Sequence, residues 1–252
     1  MNLTPIASFD LPSPATVRPA IIAGCLHFGD GGASDIHMPN AVLFRAFLRD
    51  AHRPGTDLWH GGDGPDLWTA TRSDILRAHG ATIQEVEEWA GIRRCKGNHD
   101  WTWDDLLPVS YSTRTIWMEH GNTPDPFNSG EGMALGEVTT WFAARLRAAG
   151  ITNAEEIDAW LRCLTPGRMS DEAYALFASN YLDWAKRKLD ESGALLLVYF
   201  HTHRPFAVQL GDGRVILNGG SFVPPRKPTV PPHKPTVGRV DGKRVELLEV
   251  SA

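Results

Sequence analysis

The sequence predicts a layered α/β protein with its chemistry gathered along one sheet edge. Three observations predict it. Short apolar runs alternate with segments whose apolar residues recur at helical spacing. Most of these runs end in His, Asp or Cys beside small residues, the placement expected of a site at strand C-termini. Finally, 252 residues with 42% hydrophobic content can bury a sizeable core, so residues 1–252 are expected to form one domain.

Residues 1–19 are rich in Pro and Ser and are expected to form an extended N-terminal arm. The run 20–24 (AIIAG) reads as the first strand and delivers Cys25, Leu26 and His27 before Gly29, Asp30, Gly31 and Gly32 break the pattern. A helix is expected over 39–52, with Pro39 at a first helical position and Val42, Leu43, Phe44, Phe47, Leu48 and Ala51 at helical spacing. Thr56 to His60 makes the next strand and ends in Gly61-Gly62-Asp63-Gly64-Pro65-Asp66. Helical character follows from 69 to 90, and the capping-box spacing of Thr82 and Glu85 predicts a division at Gly80. Strands over 92–95 and 115–118 lead to Gly97-Asn98-His99-Asp100 and Glu119-His120-Gly121.

Residues 131–191 read as a helical insert, with amphipathic stretches near 131–149, 154–163 and 171–190 that pack on the core or cap the site. Ala194 to Phe200 is the most apolar strand and is expected to be central and buried on both faces. It ends in His201-Thr202-His203-Arg204-Pro205, where two histidines at i and i+2 of an extended segment point the same way. Hairpins are expected over 206–217 and, after the Pro-rich link beginning at 224, over 237–250 at the sheet edge.

A net charge of −5 gives no basic excess for nucleic acid as a primary partner. The three cysteines are widely spaced and do not suggest a disulfide framework. No apolar run approaches membrane-spanning length and the first residues carry no secretory pattern, so a cytoplasmic protein is expected.

The turn at 97–100 is suited to chemistry, since an Asn oxygen can bind a cation and an imidazole can move a proton near neutral pH. Cys25-x-His27, Gly62-Asp63-x-x-Asp66, Gly97-Asn98-His99-Asp100, His120-Gly121 and His201-x-His203, in this order, resemble the calcineurin-like metallophosphoesterase superfamily over residues 20 to 222. The resemblance implies a four-layer αββα sandwich of two mixed β-sheets flanked by helices, with a helical insertion. It also implies two divalent metal ions (Mn, Zn or Fe) about 3.5–4 Å apart.

On that resemblance Asp63 bridges the metals, His27, His203 and Cys25 complete the first site, and Asn98, His120 and His201 complete the second. A metal-bound hydroxide attacks phosphorus, His99 stabilises the phosphoryl charge or protonates the leaving oxygen, and Asp66 holds the His99 ring. The substrate is a small phosphate ester or anhydride, a diester or pyrophosphate being favoured. Arg204, beside His203, is the preferred phosphate contact over Arg93 and Arg94, with an ordinary ion pair as the alternative for each.

Cys25 departs from the pattern, which has Asp there. A thiolate would favour Zn²⁺ or Fe, whereas a buried neutral thiol would leave the first site weak. Two functions from different classes therefore follow: a phosphohydrolase, or a degenerate member that binds metal or a phosphorylated ligand without turnover. Asp125 to Asn128 follow His120 closely enough to line the site, although Asn128 or Ser129 also suits the cap of the following helix.

Overall fold

The computed structural model describes residues 1–15, 17–125, 137–138, 141–142, 144–146, 149–151, 171–223 and 234–252. Its strands are β1 (Asn2–Asp10), β2 (Ala20–Ala23), β3 (Asp57–His60), β4 (Arg93–Arg94), β5 (Ser110–Ser112), β6 (Ile116–Glu119), β7 (Leu196–Tyr199), β8 (Phe206–Gln209), β9 (Val215–Asn218), β10 (Thr236–Asp241) and β11 (Arg244–Ser251). Three long helices accompany them among the described residues: α1 (Ala41–Ala51), α2 (Arg72–Glu87) and α3 (Asp171–Ser192).

Two mixed sheets result. The six-stranded sheet runs β1-β11-β10-β2-β3-β4, and the five-stranded sheet runs β5-β6-β7-β9-β8. Pairing is parallel across β2, β3 and β4 and across β6, β7 and β9, so these strands deliver their C-terminal residues to one side.

The two-residue period of the strands sorts the side chains into layers. Ile22 and Trp59 of one sheet meet Leu196, Val198 and Leu217 of the other in the central core. The alternate residues Ile21, Ala23 and Leu58 turn outward onto Phe44, Phe47 and Leu48 of α1 and Ile75, Ile83 and Val86 of α2. On the opposite side Leu197, Tyr199 and Ile216 meet Tyr181, Trp184, Ala185 and Leu189 of α3. The sandwich has the expected four layers, helix on sheet on sheet on helix. β7 is the middle strand of its sheet and is buried along its length.

Several expectations are corrected. The N-terminal arm contains a nine-residue strand, β1, paired antiparallel with β11 over Asn2–Asp10. Pro5 is tolerated because β1 is an edge strand with a register shift beside it. The C-terminal hairpin β10–β11 therefore lies inside the sheet rather than at its edge.

Helix α2 is not divided at Gly80. Thr71 caps it, its hydroxyl accepting the Asp74 N–H at 3.2 Å, while Thr82 is buried on its inner face. Burial of Ile75, Ile83 and Val86 carries the helix through the one weak position. The strand expected over 92–95 is shortened to Arg93–Arg94, and β5 was not anticipated. The stretch 154–163 and most of the Pro-rich link lie outside the described residues.

Phe200, just beyond β7, is fully buried and reaches across to the strand ends of the six-stranded sheet. A Cβ at Gly24 or Gly219 would come within 2.7 or 2.9 Å of its ring, and one at Gly61 would overlap it. We expect Gly61→Ala to lower stability by about 1–3 kcal/mol through overpacking. Gly80→Ala, where a Cβ meets nothing within 4 Å, should raise it by up to about 1 kcal/mol. Urea unfolding midpoints of the two variants will check both signs.

Candidate metal centre

Beyond the last paired residues of β2 and β3, the two chains stay side by side. Cys25 N–H donates to Gly62 O at 3.0 Å, Leu26 and His27 both donate to Asp63 O at 2.8 and 2.9 Å, and Phe28 donates to Gly64 O at 2.8 Å. The loop after β4 then crosses them. A Cβ on Gly97 would collide with Asp63, and Gly62, at φ +84°, faces the Gly97 backbone as closely, so both crossing positions require glycine. Asp100 fastens the crossing: its carboxylate accepts Gly97 N–H at 2.6 Å and Gly64 N–H at 2.9 Å.

Among the described residues, the non-glycine positions with positive φ are Cys25 (50°), His27 (50°), Asp63 (51°), His201 (60°) and His203 (58°). All five are residues singled out from the sequence. Left-handed backbone at such residues is uncommon, and it turns each side chain back over its strand end.

Asp63 lies at the middle. Its Oδ1 accepts the His99 N–H at 2.8 Å, and its Oδ2 is 3.0 Å from His120 Nε2 and 3.6 Å from His27 Nε2. Burial opposes its charge, but His120 and His99 outweigh it and hold the carboxyl well below the usual range. Conversely, burial opposes the protonated form of His120, yet Asp63 raises it above the ordinary imidazole value.

The ring nitrogens divide between anchoring and pointing inward. His120 Nδ1–H donates to Gly61 O at 2.8 Å, which turns Nε2 toward Asp63. His201 Nδ1 is 3.2 Å from His120 Nε2 and 3.1 Å from Asn98 Oδ1. His27 Nε2 and His203 Nε2 stand 2.9 Å apart, with His27 Nδ1 3.4 Å from Asp66 Oδ2. Cys25 Sγ accepts the His201 N–H at 3.2 Å.

Three groups of ligand atoms therefore lie within 4.8 Å of one another: Cys25, His27 and His203; Cys25, Asp63 and His120; and His27, Asp66 and His99. This donor set fits divalent cations. Asp63 Oδ2, Asn98 Oδ1 and the inward nitrogens of His120 and His201 converge within about hydrogen-bond distance, atoms of the kinds that can ligate a divalent cation.

His99 enters the third of these groups through Asp66 and lies edge-on to His27, ring centroids 4.5 Å apart. The His99 Nδ1–H donates to Asp66 Oδ1 at 2.8 Å and its ring stacks on Trp68 at 4.0 Å. The strand-end motifs keep their order within the two-sheet sandwich that assembles them. The chain resembles the calcineurin-like metallophosphoesterases.

No family model matches the chain, and no curated protein matches it. Solved structures do. A conserved uncharacterized protein of Streptococcus pneumoniae, described as a predicted phosphoesterase, is 16% identical, with 98% of this chain and 94% of that chain covered and a TM-score of 0.43. Vps29 of Entamoeba histolytica, complexed with zinc, is 17% identical, with 90% and 98% covered and a TM-score of 0.42. A dimetal phosphatase of Danio rerio is 11% identical, with 94% and 99% covered and a TM-score of 0.45.

The structure brings Cys25, His27, Asp63, Asp66, Asn98, His99, His120, His201 and His203 together. Arg204 follows on the same loop, its N–H donating to Thr202 Oγ at 3.4 Å. Arg93 and Arg94 go elsewhere, to Tyr111 OH at 3.1 Å and Glu87 at 3.2 Å. His60 is buried behind the Asp63 turn, where burial and then Arg94 push it down to about 3, so it stays neutral. Sequence reading undervalued Asp125, whose Oδ2 is 2.8 Å from His201 Nε2, and passed over Trp68; the only signals were adjacency to His120 and to Asp66.

Burial opposes the Asp66 charge, but His99 and His27 outweigh it and hold this carboxyl far below its ordinary range. A depressed folded pKa gives stability that is present above the unfolded value of about 3.9 and is lost as pH falls toward the folded one. Chelator-treated Asp66→Asn should therefore be less stable than the parent near pH 7, with the gap narrowing below about pH 4. Urea midpoints across that range will test it; a constant gap contradicts the assignment.

Proposed function

We propose that this chain is a metal-dependent phosphohydrolase acting on a small phosphate ester or anhydride, a diester or pyrophosphate being favoured. The observation that carries the reading is the convergence of Asp63, Asn98, His120 and His201, with His27, His203 and Cys25 beside them and the His99–Asp66 pair adjoining His27. Two divalent cations, Zn²⁺, Fe²⁺ or Mn²⁺, would fit this donor set, with Asp63, Asn98, His120 and His201 and the neighbouring His27, His203 and Cys25 as the residues to hold them. When bound they supply Lewis-acid charge at phosphoryl oxygens and at water.

The remaining chemistry belongs to the chain. Asp66 holds His99 Nδ1–H, so His99 Nε2 can deliver a proton to the leaving oxygen or stabilise charge on the phosphoryl group. Trp68 fixes the ring plane from one face and keeps water from that side. Arg204 supplies a guanidinium to a phosphate oxygen next to the His203 ligand. Asp100 and the glycines at 62 and 97 hold the turn that carries both Asn98, which would face the cations, and His99, which would face the leaving group.

Cys25 favours a second reading. Burial, with Asp63 next, pushes its thiol well above the ordinary value, so only a bound cation would make it a thiolate. A chain in which Cys25 stays a thiol would bind metal or a phosphorylated ligand without turnover. A buried free thiol also suits a reducing, cytoplasmic setting, and no helix among the described residues is long and apolar enough to cross a membrane.

Hydrolysis of bis-p-nitrophenyl phosphate and p-nitrophenyl phosphate with Zn²⁺, Mn²⁺ or Fe²⁺ separates the readings. Turnover should depend on metal and fall by about 10²–10⁴-fold in His99→Ala, with metal content unchanged. Cys25→Asp should shift the preferred metal from Zn²⁺ toward Mn²⁺. Folded, metal-loaded protein without turnover on either ester supports binding alone.

A further inference from the structure

His201 presents its Nδ1, not its Nε2, toward Asn98 and His120, and it does so from a left-handed backbone position at the end of β7. Its other nitrogen, Nε2, lies 2.8 Å from Asp125 Oδ2. Both side chains are about nine-tenths buried, with 9% exposure each. We propose that Asp125 is a positioning residue for the metal centre: it takes the Nε2–H of His201 and so fixes the tautomer whose Nδ1 lone pair faces the cation.

The argument is one of lone pairs. A neutral imidazole carries one N–H. Were it on Nδ1, His201 could donate to Asn98 Oδ1, but its Nε2 lone pair would then face the Asp125 carboxylate at 2.8 Å with no proton between them. A buried carboxylate tolerates that arrangement poorly, whereas Nε2–H to Asp125 satisfies it and frees Nδ1. The placement is built locally: Asp125 N–H closes a turn onto Asn122 O at 3.0 Å, and this turn follows His120 directly. One loop thus supplies both an inward imidazole and the carboxylate that sets its neighbour.

The proposal rests on the reading that His201 holds a cation, and the experiment separates the two. Zn²⁺ binding to the purified full chain is measured by competition with a chromophoric chelator for the parent, His201→Ala, Asp125→Ala and Asp125→Asn. The ring nitrogens of His201 are followed by ¹⁵N resonance in the metal-free proteins.

Asp125→Ala should weaken one of two Zn²⁺ sites by about 10–100-fold and leave the other unchanged. The His201 signals should move from the Nε2–H pattern to a mixture. Asp125→Asn, close in shape and retaining an oxygen that can accept Nε2–H, should fall between the two. If His201→Ala loses a site while both Asp125 variants keep parental affinity and tautomer, the role assigned to Asp125 is overturned and the metal centre stands. If His201→Ala binds Zn²⁺ as the parent does, the cation at His201 is overturned, and the positioning role with it.

Discussion

The carboxylate of Asp63 sits 1% exposed where the two sheets meet, and removal from water alone would keep it neutral. His120 at 3.0 Å and the His99 N–H at 2.8 Å hold it ionised. Those two partners come from different sheets: the loop carrying His99 leaves the six-stranded sheet, and His120 directly follows β6 of the five-stranded one. The charge can therefore be kept only if the sandwich closes. Phe200, wedged against Gly24, Gly61 and Gly219, is the apolar contact that closes it at that end.

Closure brings strain with it. Left-handed backbone at a non-glycine residue costs on the order of 1–3 kcal/mol, and Cys25, His27, Asp63, His201 and His203 all carry it. A surface loop would relax. Here the loops are fixed from both sides, by the run of N–H donors from Cys25 to Phe28 onto the Asp63 turn and by Ser221 Oγ donating to Cys25 O at 2.8 Å. The outer helices contribute indirectly, since α1, α2 and α3 bury the outer faces of the same strands whose ends are strained.

Cys25 gives the centre its individual character. Its sulfur belongs to two of the candidate ligand groups at once, beside His27 and His203 and beside Asp63 and His120. An Asp there would add one more carboxylate to the buried Asp63, Asp66 and Asp100, with the repulsion that implies; a thiol adds none until a cation draws its proton away. The charge of the cluster is thereby kept low, and Asp63 favours the protonated form of His120 beside it.

What the sequence determined by itself was local. Each of β2, β3, β6 and β7 announced itself as a short apolar run, and each following Cys, His or Asp could be recognised because residue type and the strand end are both written within a few positions. The resemblance that orders those motifs was legible for the same reason. Tertiary structure decided what depends on distant partners. Asp125 faces His201 across 76 positions, β1 finds β11 at the opposite end of the chain, and Gly80 stays helical because the inner face of α2 is buried on a sheet. Periodicity and residue chemistry act over one turn or one strand, whereas a tautomer, an edge strand and a tolerated glycine are settled by what packs against them.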